Sequence, residues 1–312
     1  MKHFLAVILI LAPLITHSQG HDFTEVDNYV HSLEVPEDIS PQDLTAKLTT
    51  PFNSDMLKTR AIFCWLATNI RYDGKEKETT YWAKYPSDKA RLEDTYRFRK
   101  GVCSGISHLF RYMLELAGIR GIVINGYARN DIETFFRQKP NHAWNAVKID
   151  AQWHLFDLTW AIDASKEMND FWFDTNPELF ILNHYPLYQQ YTFTGKKYSL
   201  GEFYSFPVYS GKFYELDFAE VNLSTAPCTA VNDTVTVHIA PNHNCVLLTK
   251  LYDIQNKAWI PSQPGGFTAG KDYFKLYIPG KGDYLLKLGA LVQDGNSSVV
   301  HDDLVYYMIE NR

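Results

Sequence analysis

Between Gly101 and Ala117 the chain passes from a glycine-flanked cysteine into a helix with one apolar face. Gly101-Val102-Cys103-Ser104-Gly105 leads into Ile106, Leu109, Phe110, Met113, Leu114 and Ala117. These positions recur at three- and four-residue spacing, and Gly118 supplies a C-terminal stop. A run rich in branched residues, Ile122 to Tyr127, predicts a strand. His142 to Ile149 and Gln152 to Thr159 predict two more, turning at Asp150-Ala151.

The rest of the chain divides around this unit. Ser54-Asp55 caps a helix whose apolar residues Leu57, Ala61, Ile62, Trp65, Leu66 and Ile70 share its period, and Tyr72-Asp73-Gly74 ends it. Residues 75–98 are charged and aromatic without a clear period and read as a long loop. Residues 19–53 read as a polar lead-in, and residues 54–199 as the core domain. From residue 200 the pattern becomes short strands (around 233–239, 245–252, 273–278, 284–291 and 304–309) separated by Gly, Pro and Asn turns. Such spacing predicts an all-β, immunoglobulin-like sandwich over 200–312.

Residues 1–18 read as an export signal. A short basic start precedes the apolar run Phe4 to Ile15, which at 12 residues is too short to span a bilayer. Thr16 and Ser18 place small residues before a cut at Ser18/Gln19. The mature chain is expected to be periplasmic or extracellular, with no transmembrane segment. The full sequence's 46% hydrophobic content excludes a disordered chain, and its 30 Lys+Arg against 36 Asp+Glu without a basic block argue against nucleic acid as a partner. An oxidising compartment favours paired cysteines. Cys228 and Cys245, with 16 residues between them in the strand-rich part, are the expected disulfide. Cys64, inside a helical pattern, reads as a small core residue.

Chemistry concentrates at Cys103, His142 and Asp157. At a helix start, unpaired N–H groups and the helix dipole favour a thiolate and could hold an oxyanion. A small buried residue at a tight turn would look the same in sequence. A two-residue turn at Asp150-Ala151 pairs Ile149 with Gln152 and, by extension, Trp144 with Asp157. His142 and Asp157 then share one face as diagonal neighbours. The carboxylate can orient the imidazole, and the imidazole can take the thiol proton. A metal centre is the rival reading and is not expected. His108 lies almost opposite Cys103 on its helix, His154 has the wrong parity, and no Cys-x-x-Cys pair occurs. No cofactor is expected.

Together, Gly101-Val102-Cys103-Ser104-Gly105, His142-Ala143-Trp144-Asn145 and Asp157-Leu158-Thr159-Trp160 resemble the transglutaminase-like core, with Cys, His and Asp in its order. The Trp65 helix followed by Tyr72-Asp73, the segment Phe171 to Glu178 and His184-Tyr185-Pro186 resemble the kyphoscoliosis peptidase-like branch, as does, loosely, the β-rich tail. The resemblance implies a papain-like, transglutaminase-like α+β fold with a Cys103-His142-Asp157 triad. Trp65 and Ser104 are its candidates for oxyanion or cleft contacts. It implies a cysteine-dependent acyl-transfer enzyme, a peptidase, amidase or transamidase with a protein or peptide substrate. The alternative is a non-catalytic binding or scaffolding module on the same core.

Overall fold

The computed structural model describes residues 22–74, 87–162, 168–216, 219–220, 228–237, 239–240, 245–260, 267–269, 274–294 and 297–312. The expected export signal lies outside them. Ser54 caps the helix Asp55–Asn69 by accepting a hydrogen bond from the Leu57 N–H, and the unbroken buried run Ala61 to Ala67 makes this helix the centre of the core. The expected lead-in is folded against it. Helices Thr24–Ser32 and Pro41–Thr49, the second capped by Ser40, send Val26, Val30, Leu44 and Leu48 into the same cluster. Arg60 ties them together. It donates to both carboxylate oxygens of Asp27 at 2.8 and 2.6 Å, bridges Asp170 at 2.6 Å, and lies over the Phe23 and Phe173 rings.

Part of the expected 75–98 loop is helical. Asp88–Phe98 is a helix capped by Ser87 that buries only Arg91, Leu92 and Thr95. A short parallel pair, β1 (Arg71–Tyr72) with β2 (Lys100–Gly101), then delivers the chain to the helix Cys103–Leu116. That helix lies on a four-stranded antiparallel sheet of order β5-β4-β3-β6, built from β3 (Arg120–Ala128), β4 (His142–Ile149), β5 (Gln152–Phe156) and β6 (His184–Pro186). The β4–β5 turn is two residues long, with Asp150 and Ala151 both at positive φ (47° and 67°). This is the turn whose twist suits a hairpin, and it sets the expected register of Ile149 opposite Gln152.

Register also decides what meets across the sheet. Gly126 of β3 pairs with His142 of β4 on one side and Pro186 of β6 on the other, and Ala128 pairs with His184. Paired residues share a face, and alternate residues of one strand share a face. His142, Gly126, Ala128 and His184 therefore all point the same way. A Cβ at Gly126 would collide with the Tyr185 carbonyl oxygen and the Trp144 ring, so only glycine lets β6 lie this close.

Beyond residue 200 the chain is rich in strands. A six-stranded sheet contains β13 (Ala258–Ile260), β12 (Cys245–Asp253), β16 (Gly282–Asp294), β17 (Ser297–Asn311) and β7 (Val208–Tyr209), with β9 (Cys228–Thr229) against β17. A three-stranded sheet joins β10 (Thr234–Val237), β15 (Phe274–Tyr277) and β14 (Phe267–Ala269). β8 (Ala219–Glu220) pairs with β11 (Ile239–Ala240). Val235, Val237, Leu276 and Ile278 share one buried cluster with Leu286, Leu288, Ala290, Val305 and Ile309, the two-layer arrangement expected of a sandwich. The same cluster takes in Ile181, Leu182, Tyr185 and Phe203. Asn183 bonds the carbonyls of Arg129 and Tyr209, so core and C-terminal sheet are joined through buried backbone contacts.

The expected Cys228–Cys245 disulfide is not formed. Cys228 aligns with Ile309, which aligns with Tyr284 of β16, whereas Cys245 aligns with Val292 of that strand. At about 3.4 Å per residue the two positions are separated by about 27 Å along the strands alone. A disulfide needs Cα atoms within about 7 Å.

Candidate active site

Cys103 opens its helix with no side chain capping the N-terminus, so the first N–H groups keep their hydrogen-bonding capacity. One turn later the helix is bolted to β4. Ser107 Oγ donates to the Ala143 carbonyl at 2.9 Å, and Asn145 Nδ2 donates to the Ser107 carbonyl at 3.0 Å and to Ile122 at 3.2 Å. Those bonds flank the residue next to His142, and Cys103 is among the groups that raise the His142 imidazole.

Asp157 ends the returning strand, is fully buried and accepts three hydrogen bonds. Its Oδ2 receives His142 Nε2 at 2.6 Å and His184 Nε2 at 2.8 Å, and its Oδ1 receives the Trp160 N–H at 3.1 Å. Burial alone would raise its pKa. The charge and hydrogen bond of His142, with the bond from His184, instead hold the carboxyl well below the usual range. Burial also opposes charge on His142, but the Asp157 carboxylate and then Cys103 outweigh it and raise the imidazole to about 10. With Nε2 committed to Asp157, Nδ1 is the nitrogen left for Cys103. His184 behaves oppositely: burial dominates and pushes it down to about 4.

Aromatic rings enclose the pair. Trp160 lies 5.2 Å from the His142 ring and 4.3 Å from the His184 ring, Phe180 stacks on His184 at 4.0 Å, and Trp172 meets Trp160 at 4.8 Å. On the open side His142 and Trp160 line a cavity of 670 Å³. Tyr72, Asn141 and Thr159 of the core form part of its wall, and Ser210, Gly211 and Asp303 of the C-terminal region complete it.

Two expected cleft contacts point elsewhere. The Ser104 hydroxyl is buried 3.4 Å from Arg91 Nη1 and faces the helix Asp88–Phe98. Trp65 is buried in the central helix with the Arg99 guanidinium 4.6 Å above its ring. Sequence reasoning passed over His184 as a functional residue. Its only local signal is the motif His184-Tyr185-Pro186, and its face is set by pairing with Ala128, 56 positions earlier.

His142, Asp157 and His184 place ligand-type atoms within 4.8 Å of one another. Their contacts of 2.6 and 2.8 Å are shorter than the roughly 3.3 Å that separates ligands held tetrahedrally at about 2.0 Å from a zinc ion.

Residues 42–158, which include Cys103, His142 and Asp157, match the family model of the Transglutaminase-like superfamily. Over 276 residues the chain is 26% identical to kyphoscoliosis peptidase of Mus musculus, covering 85% of this chain and 40% of that protein. With kyphoscoliosis peptidase of Homo sapiens the identity is 27% over 298 residues, 91% of this chain and 42% of the relative. With Hillarin of Drosophila melanogaster it is 25% over 247 residues, 70% and 29% respectively. The chain spans about two-fifths of the length of the two peptidases. It carries a transglutaminase-like domain of the kyphoscoliosis-peptidase-like branch.

Proposed function

We propose that this chain is an exported, cysteine-dependent acyl-transfer enzyme acting on amide bonds of proteins or peptides. The observation that carries the reading is the 2.6 Å contact between His142 and a buried, ionised Asp157, with Cys103 among the groups that raise the imidazole. With His142 raised to about 10, the thiol proton rests on the imidazole, and Sγ adds to the substrate carbonyl carbon as the thiolate. The uncapped N–H groups at the start of the Cys103 helix stand ready for the resulting oxyanion. The intermediate collapses by breaking the C–N bond. His142 gives its proton to the leaving amine, and a thioester remains on Sγ. Water deprotonated by His142 then adds to the thioester, and the Cys103 thiol leaves with its proton restored. An amine in place of water would complete a transamidation. The cavity wall beside His142 includes the polar residues Asn141, Ser210 and Asp303, which suits water as the second acceptor and supports hydrolysis.

Export would remove residues 1–18 before Gln19 and deliver the enzyme to a periplasmic or extracellular site. The test is a mass-spectrometric screen of peptide and amine mixtures against the wild type and Cys103→Ser. Products formed by the wild type alone support the reading. No product, together with Cys103 alkylation no faster than in the unfolded chain, overturns it in favour of a binding module.

A further inference from the structure

We propose that His184 is a positioning residue for the His142–Asp157 pair, its Nε2 hydrogen pinning the carboxylate oxygen that also holds His142. An ionised carboxylate can only accept, so both imidazole nitrogens at Asp157 Oδ2 are donors. The other nitrogen of His184, Nδ1, is buried and has no hydrogen-bond partner among the described residues. The Phe180 carbonyl already accepts the His184 backbone N–H, and the support it gives a protonated ring is outweighed by burial. A second proton on the ring would therefore be buried with little to hold it, a costly arrangement. His184 is the neutral tautomer carrying hydrogen on Nε2.

The ring is held still as well as neutral. Phe180 stacks on it at 4.0 Å, Trp160 lies at 4.3 Å, Trp144 at 5.1 Å and Trp172 at 5.4 Å. Among the described residues, the titratable groups that face it are Asp157 and His142. With His184 in place, Asp157 is held at three points: Trp160 N–H on Oδ1, and two imidazoles on Oδ2. Without it, Oδ2 keeps a single donor, the carboxylate can turn about its own bond, and its negative charge is less well held. Buried beside His142, His184 acts on Cys103 only through Asp157.

Sequence supplies a clean comparison. His184→Phe keeps an aromatic ring in the aromatic box and removes the donor. His184→Gln offers an amide N–H at about the reach of Nε2. One arm, independent of the proposed acyl-transfer reading, uses ¹⁵N-histidine NMR. Wild-type His184 is expected to remain neutral and protonated at Nε2 between pH 5 and 8, and His184→Phe to change the titration of His142. The other arm rests on that reading and follows alkylation of the Cys103 peptide by iodoacetamide across pH. His184→Phe should slow it by about 10- to 100-fold, the range for one hydrogen bond to a charged group. Its acid limb should move to higher pH, because Asp157 protonates more readily, and His184→Gln should restore most of the rate. A merely structural histidine would lower the unfolding midpoint and leave the limb in place. The proposal is overturned by a cationic or Nδ1-protonated His184, by an unchanged His142 titration in folded His184→Phe, or by His184→Gln as slow as His184→Phe. If neither variant folds, the wild-type tautomer decides. Slow wild-type alkylation sinks the acyl-transfer reading alone, and the NMR arm still judges His184.

Discussion

Replacing Asp157 by Asn removes one charge and alters little volume, yet the site leaves the amide no satisfactory orientation. Asp157 accepts on both oxygens: Trp160 N–H on one side, and the Nε2 hydrogens of His142 and His184 on the other. An asparagine side chain accepts on one oxygen only. If its NH₂ faces the imidazoles, donors meet donors at positions now 2.6 and 2.8 Å apart, and His142 must move its proton to Nδ1. Nδ1 is then blocked as an acceptor for the thiol proton. If the NH₂ faces Trp160 instead, the clash moves to the start of the helix Leu158–Ala161. In both orientations His142 loses the charge that raises it to about 10. A base in the wrong tautomer lowers turnover by about 10⁴-fold in a comparable triad. Because the amide oxygen can still serve one imidazole in the second orientation, the expected fall in Cys103 alkylation at pH 7 is about 10³- to 10⁴-fold. Iodoacetamide rates, read on the Cys103 peptide of variants shown to be folded by near-ultraviolet circular dichroism, measure it. A folded Asp157→Asn protein within tenfold of the wild type would refute the claim that the carboxylate sets the imidazole's tautomer and charge.

Cys103→Ser and His142→Ala should each abolish turnover of any substrate found for the wild type while leaving the unfolding midpoint nearly unchanged, since triad members act as a unit; retained turnover in either removes the mechanism. His184 is held at about 4 when folded and returns to about 6.5 when unfolded, so between these values the unfolded chain binds the extra proton and stability falls as pH falls. Urea unfolding should lose about 3 kcal/mol from this group between pH 6.5 and 4, and parallel curves for wild type and His184→Gln would contradict it. Arg60→Met leaves the largely buried Asp27 carboxylate without its two guanidinium donors and should cost about 3 kcal/mol in the same assay; a loss below about 1 kcal/mol would show that the clamp adds nothing. Gly126→Ala drives a methyl group into the Tyr185 carbonyl and the Trp144 ring, and should lower both the melting temperature and the Cys103 alkylation rate; a variant unchanged in both would mean that β6 does not need this close approach.

What was legible in the sequence was local or fixed by parity. The Cys103 helix carries its period in six apolar residues, and the Asp150-Ala151 turn, once taken as two residues, dictates which side chains of β4 and β5 share a face. The helix Asp88–Phe98 was hidden because it buries one narrow stripe, two of whose three residues are Arg91 and Thr95. The first two helices were hidden for a related reason. Each is nine residues long and shows little more than one apolar pair, Val26 with Val30 or Leu44 with Leu48. The disulfide expectation failed because 16 residues of separation say nothing about position within a sheet. Cys228 joins it through β17 and Cys245 through β16, at different heights.

The functional part of the molecule shows the same limit in a sharper form. His142 and Asp157 lie 15 positions apart on one hairpin, and pairing parity is enough to bring them together. His184 reaches the same carboxylate from the opposite side of β3, through a three-residue strand whose pairing depends on the absence of a Cβ at Gly126. No periodicity in three residues can announce that contact, because the information lies in the order β5-β4-β3-β6. The cavity beside His142 makes the same demand over a longer range. Its wall combines core residues with Ser210, Gly211 and Asp303, which β7 and β17 bring into place. The residues of the proposed chemistry therefore lie in one hairpin and one helix start. The support of the carboxylate and the shape of the cleft depend on strands that are remote in sequence and meet only in the folded chain.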